Sequence, residues 1–304
     1  MSYIFLCFAV LCFAAQFAFN KVYEGSIKQT TATALVLPLV IGIIGVIQCA
    51  IMCGFSITLS PISLILAFAM ALAFIPCYVL GIKVLNLGSL AIYSMFMMLG
   101  GMLVPYFYGI IFLNEGLTEA KGIGCILLTA FIVMQAIIQN ESMAKNKSGT
   151  KKERITFLAL CIAIFFLNGM TGVIAKIHEI SAGAVSEANF TFLYSLVTAL
   201  VSLVLLLFLP SGKEKGGKAK EIASAMAKKP LFSMIGLGIM TNTGNFLLLK
   251  AAAKLPASVQ FPFTSGGVIL LSALVSALVF REKLVRKEWL AVLGASAATI
   301  LFLF

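Results

Sequence analysis

The sequence predicts an all-α integral membrane protein with ten transmembrane helices, and three observations lead to that prediction. Hydrophobic residues occupy 61% of the 304 positions and charged residues only 11%, and the mean hydropathy is +1.09. The apolar runs are about 20 residues long, the length that an α-helix needs to cross a bilayer. Because these runs are continuous and do not alternate with polar residues, helices are favoured over a barrel.

Ten apolar stretches qualify as spans and are separated by short polar connections. The first lacks the basic start and the small-residue cleavage site of a signal peptide, so it is interpreted as a span. The hydrophilic linker 140–153 separates two sets of five helices, residues 1–139 and residues 154–304. The predicted spans are 3–20, 33–53, 61–82, 88–113, 119–139, 154–175, 187–210, 230–253, 256–280 and 286–304.

Positive charge is distributed unevenly over the connections. Counted from the N-terminus, the odd-numbered connections hold 18 of the 22 Lys and Arg residues and the even-numbered ones hold 4. The positive-inside rule therefore predicts that the odd connections, including the loops 140–153 and 211–229, are cytoplasmic and that both termini face outward. The net charge is +11. We expect the basic residues to contact anionic membrane lipid, and we expect no nucleic-acid binding. We expect a multi-pass protein of the plasma membrane, in particular a bacterial inner membrane, as a monomer or weak homodimer.

The two sets of five helices are compared as an internal repeat. Because five is an odd number, related halves would cross the membrane in opposite directions, which predicts an inverted repeat. A shift of 155 positions superimposes Lys21 on Lys176 in the early helices. A shift of 167 positions in the later helices superimposes charged and apolar residues at corresponding places: Lys83 on Lys250, Phe96 on Phe263, Gly100 on Gly267, Glu115 on Glu282 and Leu117 on Leu284.

Polar side chains recur at similar depth in several predicted helices. An unpaired amide that faces lipid costs on the order of 2–7 kcal/mol, so Asn242 and Asn245 are expected to face protein or a water-filled cavity. Residues three apart share a helix face, and that face is the leading candidate for substrate contact. The alternative is that these groups only bond neighbouring helices. The candidate substrate-binding residues at this depth are Gln16, Tyr78, Tyr93, Thr171, Asn242, Asn245 and Gln260.

Several charged or titratable residues lie outside this set of candidates. Lys83 and Lys250, near helix ends, are candidates for attracting an anionic group of the substrate; the alternative is that both reach the membrane surface as anchors. His178, the only histidine, is interpreted as an interfacial loop residue. All eleven acidic residues are Glu and none falls in the middle of a span, which disfavours a proton/cation drug antiporter. The sequence lacks a Ser/His/Asp set and a phosphate-binding loop, so no enzyme, metal site or cofactor is expected.

Four motifs carry a family resemblance. The stretches "FLNEGLTEAKGIG" from Phe112 and "FREKLVRKEWLAVLG" from Phe280 resemble the junction between the fourth and fifth helices of an EamA repeat. "GMTGVIAK" from Gly169 is similar to the opening of such a repeat, and "LLLKAAAKLPASVQ" from Leu247 is similar to a later passage of it. Over its full length the chain thus resembles the ten-helix EamA-type transporters of the drug/metabolite superfamily.

This resemblance implies a carrier in which helices one to four and six to nine enclose a central cavity. The implied activity is alternating-access transport, with export as the expected direction, of a small polar or zwitterionic metabolite such as an amino acid. Hydrophobic drugs, quaternary amines and sugar derivatives remain alternative substrates of the same fold. A non-transporting membrane sensor or assembly partner is the alternative from another class.

Overall fold

A computed structural model describes residues 2–52, 54–114, 116, 118–145, 150–210, 217–252 and 257–303. All the regular secondary structure of these residues is helical: ten long helices of 13 to 30 residues, one short helix of nine residues and a final 3-10 turn. The predicted matches at Glu115 and Leu117 lie outside the described residues. The helices are α1 (Ser2–Glu24), α2 (Thr31–Met52), α3 (Pro61–Leu87), α4 (Leu90–Leu113), α5 (Glu119–Lys145), α6 (Lys151–Ile180), α7 (Glu187–Phe208), α8 (Gly217–Ala225), α9 (Lys228–Ala252), α10 (Ala257–Leu278) and α11 (Arg286–Ala298), and the 3-10 turn is Thr299–Leu303.

The helices have the dimensions and the exposed apolar faces of a membrane protein. Within the described part of the chain, eight helices are long and apolar enough to cross a bilayer: α1 to α7 and α9. Their outer faces expose large apolar side chains such as Phe8, Ile65 and Leu207, each more than half exposed. The chain is therefore a multi-pass membrane protein. The apolar part of α10, Pro262–Leu278, is 17 residues long, and α11 has 13 residues.

Short helix α8 lies in the predicted loop 211–229. Two of its side chains, Ile222 and Ala225, join the apolar cluster under α2. On the same helix, the ammonium of Lys218 donates to the carbonyl oxygens of Leu207 at 3.0 Å and Leu209 at 2.9 Å. Those carbonyls belong to the end of α7, where cations are favourable because the last carbonyls of a helix lack partners.

The polar linker 140–153 is also more helical than predicted, because α5 continues to Lys145 and α6 begins at Lys151. The start of α6 is stabilised by a capping box in which Thr150 and Glu153 satisfy each other's backbone amides. The last predicted span, 286–304, is helical only to Ala298 and then tightens into the 3-10 turn.

Helix boundaries repeat along the chain with the two register shifts. The helices α3 and α5 begin at residues 61 and 119, and α9 and α11 begin at 228 and 286, each 167 positions later. The end of α1 at 24 corresponds to the end of α6 at 180, which is within one residue of the shift of 155. The register changes from the shift of 155 to the shift of 167 in the connection between α7 and α9, which contains α8. We call two helices related by these shifts equivalent.

Backbone conformation repeats with the same register. Asn114, after α4, and Arg281, after α10, both adopt the left-handed region, with φ of 54° and 55°. These two residues are 167 positions apart. Few non-glycine residues adopt positive φ, so the coincidence indicates that the turns after α4 and α10 are built alike.

Most helix packing joins one half of the chain to the other. Helix α1 packs on α9 and α10, α6 packs on α3 and α4, α2 packs on α7, α4 packs on α10, and α5 packs on α11. Glycines allow the closest approaches. A Cβ at Gly100 of α4 would lie 2.2 Å from the carbonyl oxygen of Phe165 in α6, and one at Gly42 of α2 would lie 2.8 Å from that of Ser195 in α7. Small residues of this kind let membrane helices approach to backbone contact.

Side-chain contacts define which helix ends lie together. Lys21 at the end of α1 contacts Glu282, which follows α10, and Leu85 near the end of α3. Glu282 also contacts Leu90, the first residue of α4. Since α4 begins where α10 ends, these equivalent helices run in opposite directions. At the other end of the bundle, His178 near the end of α6 contacts Ser63 near the start of α3.

Candidate substrate cavity

A cavity lies in the middle of the bundle, between α2, α3, α7 and α9. Each lining residue is about two turns or more from either end of its helix, so the cavity is at mid-depth. It contains ≈ 310 Å³ of space, part of which is open to the surroundings. The lining residues are Ile41, Gly42, Phe74, Tyr78, Tyr194, Ser195, Thr198, Thr241 and Asn242.

One side of the cavity is polar and uncharged. Thr241 donates to the amide oxygen of Gln16 in α1 at 2.8 Å and also lies 2.8 Å from the carbonyl oxygen of Leu237. The amide nitrogen of Asn242 donates to the carbonyl oxygen of Gly238 at 2.8 Å. That contact uses one of the two N–H groups of the amide, and the amide oxygen accepts no hydrogen bond from the described residues.

Thr198 supplies a second available group. Its side chain is only 5% exposed, yet its hydroxyl has no hydrogen-bond partner among the described residues. A buried polar atom without a partner is costly, so such atoms in a native structure require an explanation. Thr198 is one of the residues that line the cavity, so a bound molecule is one explanation.

The aromatic residues of the lining lie next to one another and form its aromatic side. Phe74 and Tyr78 of α3 are stacked with ring centroids 6.0 Å apart and an interplanar angle of 18°. The ring of Tyr194 in α7 lies 5.5 Å from that of Phe74. From Tyr194 the aromatic contacts continue to Phe190 at 5.7 Å and then to His178 at 3.8 Å. An aromatic series therefore leads from the cavity to one end of the bundle.

Charged side chains do not line the cavity within the described part of the chain. Lys83 is exposed. Lys250 is also exposed, and its ammonium lies 5.3 Å from the centroid of the Phe246 ring. These positions fit the alternative in which both lysines are anchors at the membrane surface. No group of three His, Cys or carboxylate side chains with the arrangement of a metal site occurs among the described residues.

The structure brings together only part of the predicted candidate set. Tyr78 and Asn242 line the cavity, and Gln16 is one hydrogen bond away from it through Thr241. Asn245 is partly exposed and does not line it. Gln260 is 6% exposed and is likewise absent from the lining.

Two further candidates take part in contacts between or within helices. Tyr93 is completely buried, accepts a hydrogen bond of 3.0 Å from Asn20, and packs edge-on against Phe17. Thr171 donates to the carbonyl oxygen of Asn168 in its own helix at 2.6 Å. These contacts correspond to the alternative that polar groups connect neighbouring helices or bond their own backbone.

Three polar residues of α7 were missed by the sequence analysis, namely Tyr194, Ser195 and Thr198. They lie in the stretch "YSLVT" near the middle of a predicted span, so the depth criterion that selected Tyr78 and Asn242 could have selected them. The interpretation of His178 was wrong. This residue lies in the last turns of α6, is 2% exposed and contacts Ser63, because stacking on Phe190 and that hydrogen bond replace its contact with water.

Different side chains connect the helices at the two ends of the bundle. The ionic end consists of Lys21, Glu24 and Glu282 with the backbone of Leu85 and Leu90. In it, the ammonium of Lys21 lies 3.3 Å from Glu282 and 3.8 Å from Glu24, and donates to the Leu85 carbonyl oxygen at 2.7 Å. Glu282 accepts from the Leu90 amide at 2.9 Å and from the hydroxyl of Ser276.

The neutral end consists of Thr58, Ser63, His178, Val185 and Asn189. The hydroxyl oxygen of Ser63 accepts from the amide of Val185 at 3.1 Å and lies 3.0 Å from Nε2 of His178. The Asn189 amide nitrogen donates to the hydroxyl of Thr58 at 2.9 Å. These bonds tie the connection before α3 to the connection before α7.

Comparison with known proteins identifies the fold alone. No protein-family model and no curated protein matches the sequence. Among solved structures, 27 chains match. One of them, described only as the crystal structure of a protein, superimposes with a TM-score of 0.54 at 15% identity and covers 99% of this chain and 95% of that chain. The whole chain thus shares its fold with a protein of similar extent.

Proposed function

We propose that this protein is a secondary transporter that moves a small polar solute across the plasma membrane by alternating access. In this proposal the ten long helices are ten spans in two inverted five-helix repeats, residues 1–139 and 154–304, as in the EamA-type transporters that the sequence resembles. The Lys- and Arg-rich odd connections are cytoplasmic and the termini face outward. Export is the direction that the resemblance implies.

The observation that carries the proposal is the position of the cavity. It is lined by α2 with its equivalent α7 and by α3 with its equivalent α9. A mid-depth site at the junction of inverted repeats can open to either side when one repeat tilts against the other. The antiparallel course of α4 and α10 and the repeated helix boundaries support this arrangement.

The test is flux in proteoliposomes with a panel of labelled amino acids, nucleosides, nucleobases and sugars. For a solute that is transported, Asn242→Leu removes the cavity amide and leaves an apolar helix. We expect flux to fall about tenfold, because a buried hydrogen bond contributes roughly 0.5–1.5 kcal/mol and an unpaired solute group adds to the loss.

The matched control is Gln135→Leu in α5. Gln135 is completely buried, neither of its amide atoms has a partner among the described residues, and it does not line the cavity. Its replacement should leave flux unchanged. Equal losses of flux in both variants would show that Asn242→Leu acts by disturbing folding. Absence of flux for every solute in the panel would contradict the proposal.

A further inference from the structure

We propose that the solute is an uncharged, planar heteroaromatic ring with both hydrogen-bond donors and acceptors at its edge, the chemistry of a nucleobase. This inference rests on the proposed function, because it assigns the solute to the same cavity. Three features carry it: the absence of charge from the described cavity wall, the aromatic rings of that wall, and its available polar groups.

Charge separates this solute from a zwitterion. An amino acid carries a carboxylate and an ammonium, and each needs an opposite charge or several hydrogen bonds when it leaves water. The described lining residues are all uncharged, and Lys250, the predicted partner for a carboxylate, is exposed outside the cavity. A neutral solute avoids this desolvation penalty.

The aromatic side is suited to a flat ring. Phe74, Tyr78 and Tyr194 present three neighbouring rings from two helices, at centroid distances of 6.0 and 5.5 Å. Nucleobases stack on such side chains because every base has an aromatic face. A quaternary ammonium ion would also be attracted to these rings, so the aromatic side alone does not identify the solute.

The polar side distinguishes between the two. The amide oxygen of Asn242 is available as an acceptor, and the hydroxyl of Thr198, a lining residue, has no hydrogen-bond partner among the described residues. A base edge can satisfy these groups with its own N–H and C=O groups, whereas a quaternary ammonium has none to offer.

The experiment is calorimetric titration of the purified full chain with adenine, uracil, phenylalanine and benzyltrimethylammonium. We expect saturable binding of at least one base and no binding of the other two compounds. Thr198→Val, which keeps the shape and removes the hydroxyl, should weaken base binding about tenfold. Tyr194→Leu should weaken it similarly by removing a ring.

The matched control is Ser202→Ala, one turn further along α7. The Ser202 hydroxyl is also buried without a partner among the described residues, but it lies outside the cavity lining, so base affinity should be unchanged. Binding of phenylalanine or benzyltrimethylammonium in place of a base would overturn the inference. A base affinity that Thr198→Val leaves unaltered would also overturn it, and this conservative variant remains informative if Tyr194→Leu fails to fold.

The same compounds in proteoliposomes separate this inference from the proposed function. Flux of another solute without base binding would overturn the inference and leave transport intact. Base binding without flux of any solute would overturn transport and leave the base site intact.

Discussion

At the ionic end, one ammonium and one carboxylate connect α1, α3, α4 and the turn after α10, whereas at the neutral end hydroxyl, imidazole and amide groups connect α3, α6 and α7. Charged hydrogen bonds are stronger than neutral ones but are weakened by salt. Hydrogen bonds between uncharged groups are less sensitive to salt. In a transporter with two gates, the energy needed to open the ionic end would therefore depend more strongly on salt than the energy needed to open the neutral end.

The largest effect is expected from exchanging the charges of the ionic end. In the double variant Lys21→Glu, Glu282→Lys, a carboxylate faces the Leu85 carbonyl and an ammonium faces the Leu90 amide at the start of α4. Both placements are unfavourable, because helix N-termini favour anions and C-termini favour cations. We expect the thermal unfolding midpoint of the double variant to be no higher than that of Lys21→Met. If the unfolding midpoint of the double variant returned to the parent value, the ion pair alone would account for the stability of this end.

The single variant Lys21→Met is expected to have the next largest effect. It leaves Glu282, whose side chain is 20% exposed, without its cation and leaves the Leu85 carbonyl without a donor. We expect the free energy of unfolding to fall by about 1–3 kcal/mol, which lies between the values for surface and buried ion pairs. The measurement is a lower unfolding midpoint in the same detergent. Lys28→Met, an exposed site on the same connection, is the control and should change little. Equal midpoints for the two variants would contradict this assignment of the ionic end.

At the neutral end, Ser63→Ala should have a smaller effect. It removes the acceptor for the Val185 amide and the contact with His178, which corresponds to about 1 kcal/mol. Ser60→Ala is a close control, since Ser60 precedes α3 but its side chain makes no capping bond. Unfolding midpoints of both variants and the parent provide the measurement. A larger loss for Ser60→Ala than for Ser63→Ala would reverse our assignment of this end.

The smallest expected effect is a difference in hydrogen exchange between the two ends of the unaltered protein. The amides of Leu90 and Val185 are each held by a side chain, the first by a carboxylate at 2.9 Å and the second by a hydroxyl at 3.1 Å. At 1 M salt the screening length is about 3 Å. Hydrogen exchange at Leu90 should therefore be faster than at low salt, while exchange at Val185 stays constant. Equal salt responses at both amides would remove the distinction.

Helix positions could be predicted well because bilayer thickness restricts them. The predicted starts at 61, 119 and 286 coincide with those of α3, α5 and α11. Helix α8 was not predicted because it has nine residues and a sequence rich in Lys and Ala. The buried position of His178 depends on Ser63, which is 115 residues away, and local sequence cannot reveal such a contact.

Depth along a helix could be predicted for the candidate site, but rotation about the helix axis could not. Asn242 and Asn245 have nearly the same depth, yet only Asn242 lines the cavity. The rotation of α9 is set by its neighbours, including Phe13 of α1, which approaches Gly244 so closely that a Cβ there would lie 2.8 Å from the ring. That fit between distant residues has no signature in the sequence of α9 itself.

The exchange of packing partners between the halves has a consequence for biosynthesis. When α1 to α5 have left the ribosome, the helices that α1 packs against, α9 and α10, have not yet been made. The faces of α2 to α4 gain their partners α6 and α7 earlier, but the face of α1 that packs on α9 and α10 must remain beside lipid, water or the insertion machinery until translation is nearly complete. A chain truncated before α9 should be inserted but recognised by membrane proteases as incomplete, because this face of α1 has no neighbours.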